Sequence, residues 1–448
     1  MLLANASAQL CTLLIFAITL VYILIGNPIA FALMGGAATV GVMTLGVKVF
    51  DMFTSGVYVQ ATNYDMLAVP LFVFMGNMIE VTGITKRMFD AMYVWIGKIR
   101  GGLLVVTIII GVILAACVGV VAASVVMLGL IGLPMMMERG YNKSLSAGAI
   151  CSAGSLGILI PPSIMLVMYG PSASLSVGKL FMGAFVPGFL LGALYTGYNL
   201  VACAINPKLA PAAGHDDELT SLPISKKLMV TLTGLLPPVL LILAVLGSIM
   251  FGIAAPTEAA AVGALVAVIM AICYRKFTLQ NFHKALYDTA QNYAMVQMIA
   301  WAAKAFTILF LRLGCGNVVS DVIMAVPGGR WASFAVIMLI VFILGMFIDW
   351  LGIILILIPI VTPLAAEMGF DAIWFAMMII INLQLSFITP PFAYAIFFLK
   401  GICRPEWGIE TIDIVKGIVP YLALIAVCLI LCIIFPQIIT WLPNLTIR

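Results

Sequence analysis

The sequence predicts an all-α polytopic membrane protein, built as an inverted repeat with about ten transmembrane helices and two re-entrant hairpins. Three observations predict it: a composition too apolar for water, a series of apolar runs of spanning length, and a motif pattern that recurs at one fixed offset. Of 448 residues, 64% are hydrophobic and 8% charged, and the mean hydropathy is +1.24. A soluble domain is about 45–50% apolar and about 25% charged. So few charges leave nothing to cover an exterior in water. A soluble enzyme, a disordered scaffold and a nucleic-acid binder are excluded, the last because a net charge of +4 is no phosphate-binding footprint.

A helix needs about 20 mostly apolar residues to cross the hydrocarbon core, and no lipid-exposed loop is tolerated at that depth. Read between charged or Pro/Gly-rich breaks, the spans fall near 8–26, 28–46, 66–82, 145–170 and 180–205. A second set lies near 228–250, 253–274, 290–313, 373–399 and 417–440. Two further stretches, 102–137 and 332–366, are too long for one helix. Each has a break near its middle, around Gly119 and Asp349, leaving arms of about 16 residues that are short for a crossing. Both are expected to enter and leave the membrane on one side.

The positive-inside rule supports this arrangement. If Lys86, Arg87, Lys98 and Arg100 are cytoplasmic, so are Arg139 and Lys143, Lys208, Lys226 and Lys227, Arg275, Lys276 and Lys284, and Lys400, Arg404 and Lys416. Only Lys48, Lys179, Arg330 and Arg448 fall outside, and complete crossings in place of either hairpin would scramble the bias. Both termini are then expected on the periplasmic side. Lys48 is the first basic residue, so the first run lacks a signal peptide's charged start and is expected to remain as a helix. Residues 206–227, with His215, Asp216, Asp217 and Glu218, read as a cytoplasmic linker between halves 1–205 and 228–448. That leaves no room for a nucleotide-binding domain, so ATP hydrolysis by this chain is not expected.

The halves repeat. GLPMMMERGY followed by SLGILIPPS in the first half matches VTPLAAEMGF followed by QLSFITPPF in the second. Pro134 pairs with Pro363, Glu138 with Glu367, Gly140 with Gly369, Leu156 with Leu385 and Pro161 with Pro390, all at an offset of 229. The same offset sets the first hairpin break, at Val120, opposite Asp349. Five full crossings per half is an odd number, so the second copy is inverted. Inverted repeats with paired broken helices are the architecture of secondary transporters, whose ion and substrate sites lie at the breaks.

Pro161-Pro162 and Pro390-Pro391 lie inside apolar spans and must unwind them, because proline removes a donor and clashes with the preceding turn. The freed carbonyls need partners. A desolvated Na⁺, held by carbonyls and by the hydroxyls of Ser155, Ser386 and Thr389 with Gly157 alongside, would supply them. The plainer reading is a kink whose hydroxyls bond back to the helix. Asp349 is a carboxylate within a span, which is costly and marks a site by default; it could ligate a cation, carry a proton or pair with Lys304. Glu258, just after Pro256, could contact an ion or merely face its own helix start. Lys304 could attract an anion or join a structural ion pair, and Arg312 can snorkel to the interface. Asn77, Asn382 and Gln384 read as interhelical glue. The nine cysteines form no CxxC and the two histidines stand apart from them, so no resident metal or other cofactor is expected. No HExxH or Ser-His-Asp constellation is visible, so no enzyme is expected either.

The stretches LAVPLFVFMGNMIEVTGI, GLIGLPMMMERGYNKSLSAGAI, SAGSLGILIPPSIMLVMYG, APTEAAAVGA and NLQLSFITPPFAYAIFFLKG closely resemble the large membrane subunit of tripartite ATP-independent periplasmic (TRAP) transporters. The resemblance runs from about residue 67 to about 401. It implies an elevator-type, Na⁺-coupled importer in the bacterial inner membrane, taking a carboxylate, 2-oxo acid or sulfonate. It also implies two partners, a separate small four-helix membrane subunit and a periplasmic solute-binding protein that delivers the anion. Carried over residue by residue, it puts ion and substrate contacts at the first tip (Val118, Gly119, Val120, Val121) and the second (Gly345, Asp349). Thr257, Glu258, Ser386, Thr389 and the Pro-Pro breaks follow in the same way. Many relatives have a serine-rich first tip, whereas Val118, Val120 and Val121 here carry no side-chain oxygen. The alternative within transport is a stand-alone carrier coupled to protons or Na⁺.

Overall fold

The structure is a computed structural model describing residues 7–211, 221–390 and 393–446. The acidic centre of the 206–227 linker, Pro391 and Arg448 lie outside the described residues. The first half forms α1 (Ala8–Leu24), α2 (Ile29–Leu45), α3 (Val49–Ala61), α4 (Ala68–Thr82) and α5 (Ile84–Ile96). It continues with α6 (Gly102–Val118), α7 (Val121–Glu138), α8 (Lys143–Ser155), α9 (Ile164–Ala173) and α10 (Val177–Ile205). The second half holds α11 (Ile224–Gly234), α12 (Leu236–Met250), α13 (Pro256–Cys273), α14 (Leu279–Arg312) and α15 (Cys315–Met324). Then come α16 (Gly329–Gly345), α17 (Trp350–Glu367), α18 (Ala372–Phe387), α19 (Tyr394–Ile402), α20 (Thr411–Ile434) and α21 (Gln437–Thr446). Among the described residues, eight helical stretches are long and apolar enough to cross a membrane, nine if α11 and α12, bent by 41° at Leu235, count as one.

The repeat is visible in the caps as well as the helices. Asn142 caps α8 by accepting the Leu145 N–H at 3.0 Å. Its counterpart 229 residues on, Asp371, caps α18 by accepting the Trp374 N–H at 2.8 Å. A side-chain acceptor at this position satisfies one of the orphan donors of the first turn. The shifted copies of α6 through α9 coincide with α16 through α19 to within a few residues.

Several sequence expectations need correction. The run at 28–46 continues through a short turn into α3, because Lys48 and Asp51 are too few charges to end a helical stretch that spans Ile29–Ala61. The linker ends early, since α11 begins at Ile224. The span at 228–250 is kinked rather than straight, at the Leu235 step before Pro237. The span at 417–440 stops at Ile434, and α21 follows after Pro436. The hairpin arms have 17 and 18 residues each, and both α7 and α17 are long and apolar enough to cross a membrane. Shortness therefore does not turn the chain back. What marks the hairpins is that each tip stops against a helix break, as described below.

The helices pack as two groups that each draw on both halves and that meet along α5 with α6 and along α14 with α17. In one, α4 lies against α13, α14 against α2, α3 and α4, and α5 against α11. In the other, α8 lies against α6, α7 and α20, α17 against α9, α19 against α7, and α16 and α20 against α18. Without a hydrophobic drive between helices in lipid, close approach through small residues is what holds such bundles. Gly148 of α8 and Gly417 of α20 meet backbone to backbone: a Cβ on Gly417 would overlap the Ser144 carbonyl oxygen, and one on Gly148 the Gly417 carbonyl. Asn77 donates to Thr289 Oγ1 at 2.9 Å and Asn382 to the Met338 carbonyl at 2.7 Å, both between helices.

Candidate functional site

At the first tip, α6 ends on Gly119 in the left-handed region, φ +65°. A Cβ there would lie 3.1 Å from the Pro162 carbonyl oxygen, so only glycine lets the tip press on the break between α8 and α9. The tip also leans on α4, where a Cβ on Gly76 would come 3.0 Å from Val118 Cα. Within the break, Ser163 Oγ donates to the Ile158 carbonyl at 2.6 Å, filling one of the acceptors that the prolines release. Ser155 Oγ donates to the Ser152 carbonyl at 2.9 Å and accepts from Gln384 Nε2 at 3.3 Å. Gly157 faces the first turn of α7: a Cβ on it would be 3.5 Å from Ser124 Oγ and 3.7 Å from Val120 N. Ser124 is buried and its hydroxyl has no hydrogen-bond partner among the described residues.

The second tip repeats the pattern. Gly345 lies against Ser386, whose Oγ would be 2.7 Å from an added Cβ. Asp349 is the N-cap of α17, its Oδ2 accepting the Leu351 N–H at 3.3 Å. Ser386 and Thr389 bond back to their own helix, Ser386 Oγ to the Asn382 carbonyl at 3.2 Å and Thr389 Oγ1 to the Leu385 carbonyl at 2.7 Å. These are the bonds of the plain kink. Each hydroxyl spends its proton there and keeps oxygen lone pairs that can face a cation. Pro390 is exposed.

Both tips and both breaks open onto one cavity of about 690 Å³ between the bundles. Five helix N-termini reach it: α2 through Pro28 and Ile29, α7 through Val120 and Val121, α9 through Ile164, α17 through Asp349 and Trp350, and α19 through Tyr394. At four of them, those of α2, α7, α9 and α19, no side chain among the described residues caps the first turn. Converging N-termini with open N–H groups favour negative charge. The opposite wall is α14, from Asn292 to Ile299.

Some expected residues lie elsewhere. Thr257 is buried and its hydroxyl has no hydrogen-bond partner among the described residues, but neither it nor Glu258 lines the cavity. Glu258 is exposed and accepts the Ala255 N–H at 2.9 Å, which makes it a helix-start carboxylate. Lys304 does not pair with Asp349; its stem packs on Gly56 of α3. It stands about 18 Å along α14 from Asn292 at the helical rise, on a stretch that the cavity does not reach. Arg312 is exposed at the end of α14. Ser124, Asn292, Trp350 and Tyr394 were not singled out from sequence. Ser124 could have been found as the first hydroxyl one turn past a tip that has none.

Residues 16–438 match the family described as the tripartite ATP-independent periplasmic transporter, DctM component. The chain belongs to this family. It is thus a multi-pass TRAP large permease, and its curated relatives are transporter permeases. The C4-dicarboxylate TRAP transporter large permease protein DctM of Pseudomonas aeruginosa is 30% identical over 90% of both chains. The 2,3-diketo-L-gulonate TRAP transporter large permease protein YiaN of Escherichia coli is 30% identical over 93% of this chain and 95% of its own. The sialic acid TRAP transporter permease protein SiaT of Haemophilus influenzae is 28% identical over 96% of this chain and 67% of its own. The crystal structure of the YdaH transporter of Alcanivorax borkumensis shares the fold, with a TM-score of 0.63 at 15% identity, covering 96% of this chain and 99% of that one.

Proposed function

We propose that this TRAP permease imports a small organic anion together with Na⁺ by an elevator movement of one bundle against the other. The convergence of five helix N-termini on the cavity between the bundles carries the reading. An anion entering there meets open backbone donors without needing a cationic side chain. The bundle of α6 to α10 and α16 to α20 holds both hairpins, both breaks and most of the anion donors, so it is the part that would carry substrate. The bundle of α1 to α5 and α11 to α15 would stand still as the scaffold. Na⁺ is cargo in this scheme. The oxygens that would hold it are the tip carbonyls at Val118 and Gly119 with the Ser124 hydroxyl on one side, and Ser386, Thr389 and Asp349 on the other. Because each tip is pressed on a break, bound Na⁺ would fix the N-termini around the anion and couple the two.

The relatives named for C4-dicarboxylates, 2,3-diketo-L-gulonate and sialic acid support an organic acid as cargo. Family membership supports a small four-helix membrane subunit and a periplasmic solute-binding protein as partners and the bacterial inner membrane as the setting, and the distribution of basic residues supports both termini on the periplasmic side. A proton-coupled carrier is the second reading, favoured by Asp349, the one carboxylate among the described lining residues. Uptake into proteoliposomes holding the permease, its small subunit and the binding protein tests both. An inward Na⁺ gradient is expected to drive accumulation. Accumulation driven by a pH gradient with Na⁺ absent would replace Na⁺ coupling with the second reading.

A further inference from the structure

We infer that the cavity takes an acid with a single carboxylate on an apolar body, rather than a dicarboxylate or a polyhydroxylated sugar acid. This rests on the reading that the cavity holds the transported anion. Among the described lining residues there is no lysine, arginine or histidine, and the polar side chains are Asn292, Asp349, Tyr394 and the Trp350 indole. The donors for an anion are therefore backbone N–H groups, gathered where α2, α7, α9 and α19 begin. Away from them the walls are Phe31, Phe387, Phe398, Met295 and Met298.

That division sets what fits. One carboxylate satisfies the N-termini. A second would face Asp349 or lie against rings and thioethers with no cation to pair it, and an unpaired buried charge is strongly disfavoured. The hydroxyls of a sugar acid would exchange water for a wall that offers few partners, and Val120, Val121 and Ala122 at the first tip add none. An aliphatic or aromatic body instead gains by covering Phe387, Phe398 and the methionines, whose flexible thioethers adapt to its shape.

The test uses the full-length purified permease in saturating Na⁺, with binding read by tryptophan fluorescence and thermal unfolding. The probes are 4-methyl-2-oxopentanoate, phenylpyruvate, succinate and N-acetylneuraminate. At least one of the first two is expected to bind tenfold or more tightly than the last two. Phe398→Asn should weaken that binding at least fivefold, whereas Phe398→Leu should keep it within about twofold, with unchanged circular dichroism showing that both variants fold. Succinate or N-acetylneuraminate binding as well as the apolar acids would overturn the substrate class and leave the anion reading standing. An affinity for the apolar acids indifferent to Phe398→Asn would overturn it too. Binding of none of the four in Na⁺ would overturn the anion reading itself.

Discussion

Gln384 donates a hydrogen bond of 3.3 Å to Ser155, and the two residues are 229 positions apart, the offset of the repeat. Each is the other's counterpart. Their contact sets the ends of α8 and α18 side by side, just before both breaks. The bond ties the two broken helices together where each turns toward the cavity.

Removing one partner of this pair is costlier than removing both. Ser155→Ala should destabilise the protein by about 1–3 kcal/mol, because the buried Gln384 amide loses one of its acceptors. Ser155→Ala with Gln384→Leu should recover part of that loss. A thermal-unfolding double-mutant cycle measures the coupling; strictly additive effects would contradict the pairing.

The backbone contact between α8 and α20 leaves no space for a side chain. Gly417→Val should cost about 1–3 kcal/mol or more through overpacking, whereas Gly197→Ala, at a position with nothing nearby, should be neutral or slightly stabilising. Detergent-solubilised melting temperatures compare the two directly.

Asp349 combines a helix cap with a charge, and substitution separates them. Asparagine caps about as well as aspartate, so Asp349→Asn should stay within about 0.5 kcal/mol of wild type. Asp349→Ala should lose about 1 kcal/mol with the cap. Both should abolish coupled uptake in proteoliposomes, because both remove the charge that would hold the cation. Full uptake by Asp349→Asn would leave Asp349 a cap alone.

Lys304 of α14 packs against α3 and away from the cavity, so Lys304→Met should leave anion affinity within about twofold of wild type. A tenfold loss by equilibrium binding, about 1.4 kcal/mol, would bring it back into the anion site.

Much of the fold is legible in the sequence because membrane helices announce themselves by length and hydropathy, and because the Pro134/Pro363 and Pro161/Pro390 matches fix the repeat. The missed helices have physical reasons. Lys48 and Asp51 look like a loop, yet they sit where α2 turns into α3. α5 and α15, counterparts in the repeat, are 13 and 10 residues long and amphipathic in character, so an apolar-run reading passes over them. At the site, the tips and breaks are readable because glycine and paired prolines interrupt long apolar runs. Glu258 and Lys304 are not, since charge alone does not say which way a helix face turns. Asn292 and Phe398 reach the cavity only through packing of α14 and α19 against the hairpins, which no local pattern records.

Coupled transport as proposed requires Na⁺ and anion binding at the hairpin tips. The most direct measurement is the melting temperature of the purified permease across a Na⁺ titration, against K⁺ and choline at constant ionic strength, for wild type and Asp349→Asn. A ligand that binds only the folded state raises stability by RT ln(1 + [L]/Kd). A saturable, Na⁺-specific rise is expected in wild type and should be lost in Asp349→Asn. A flat response, or an equal rise with choline, would contradict Na⁺ binding at the tips.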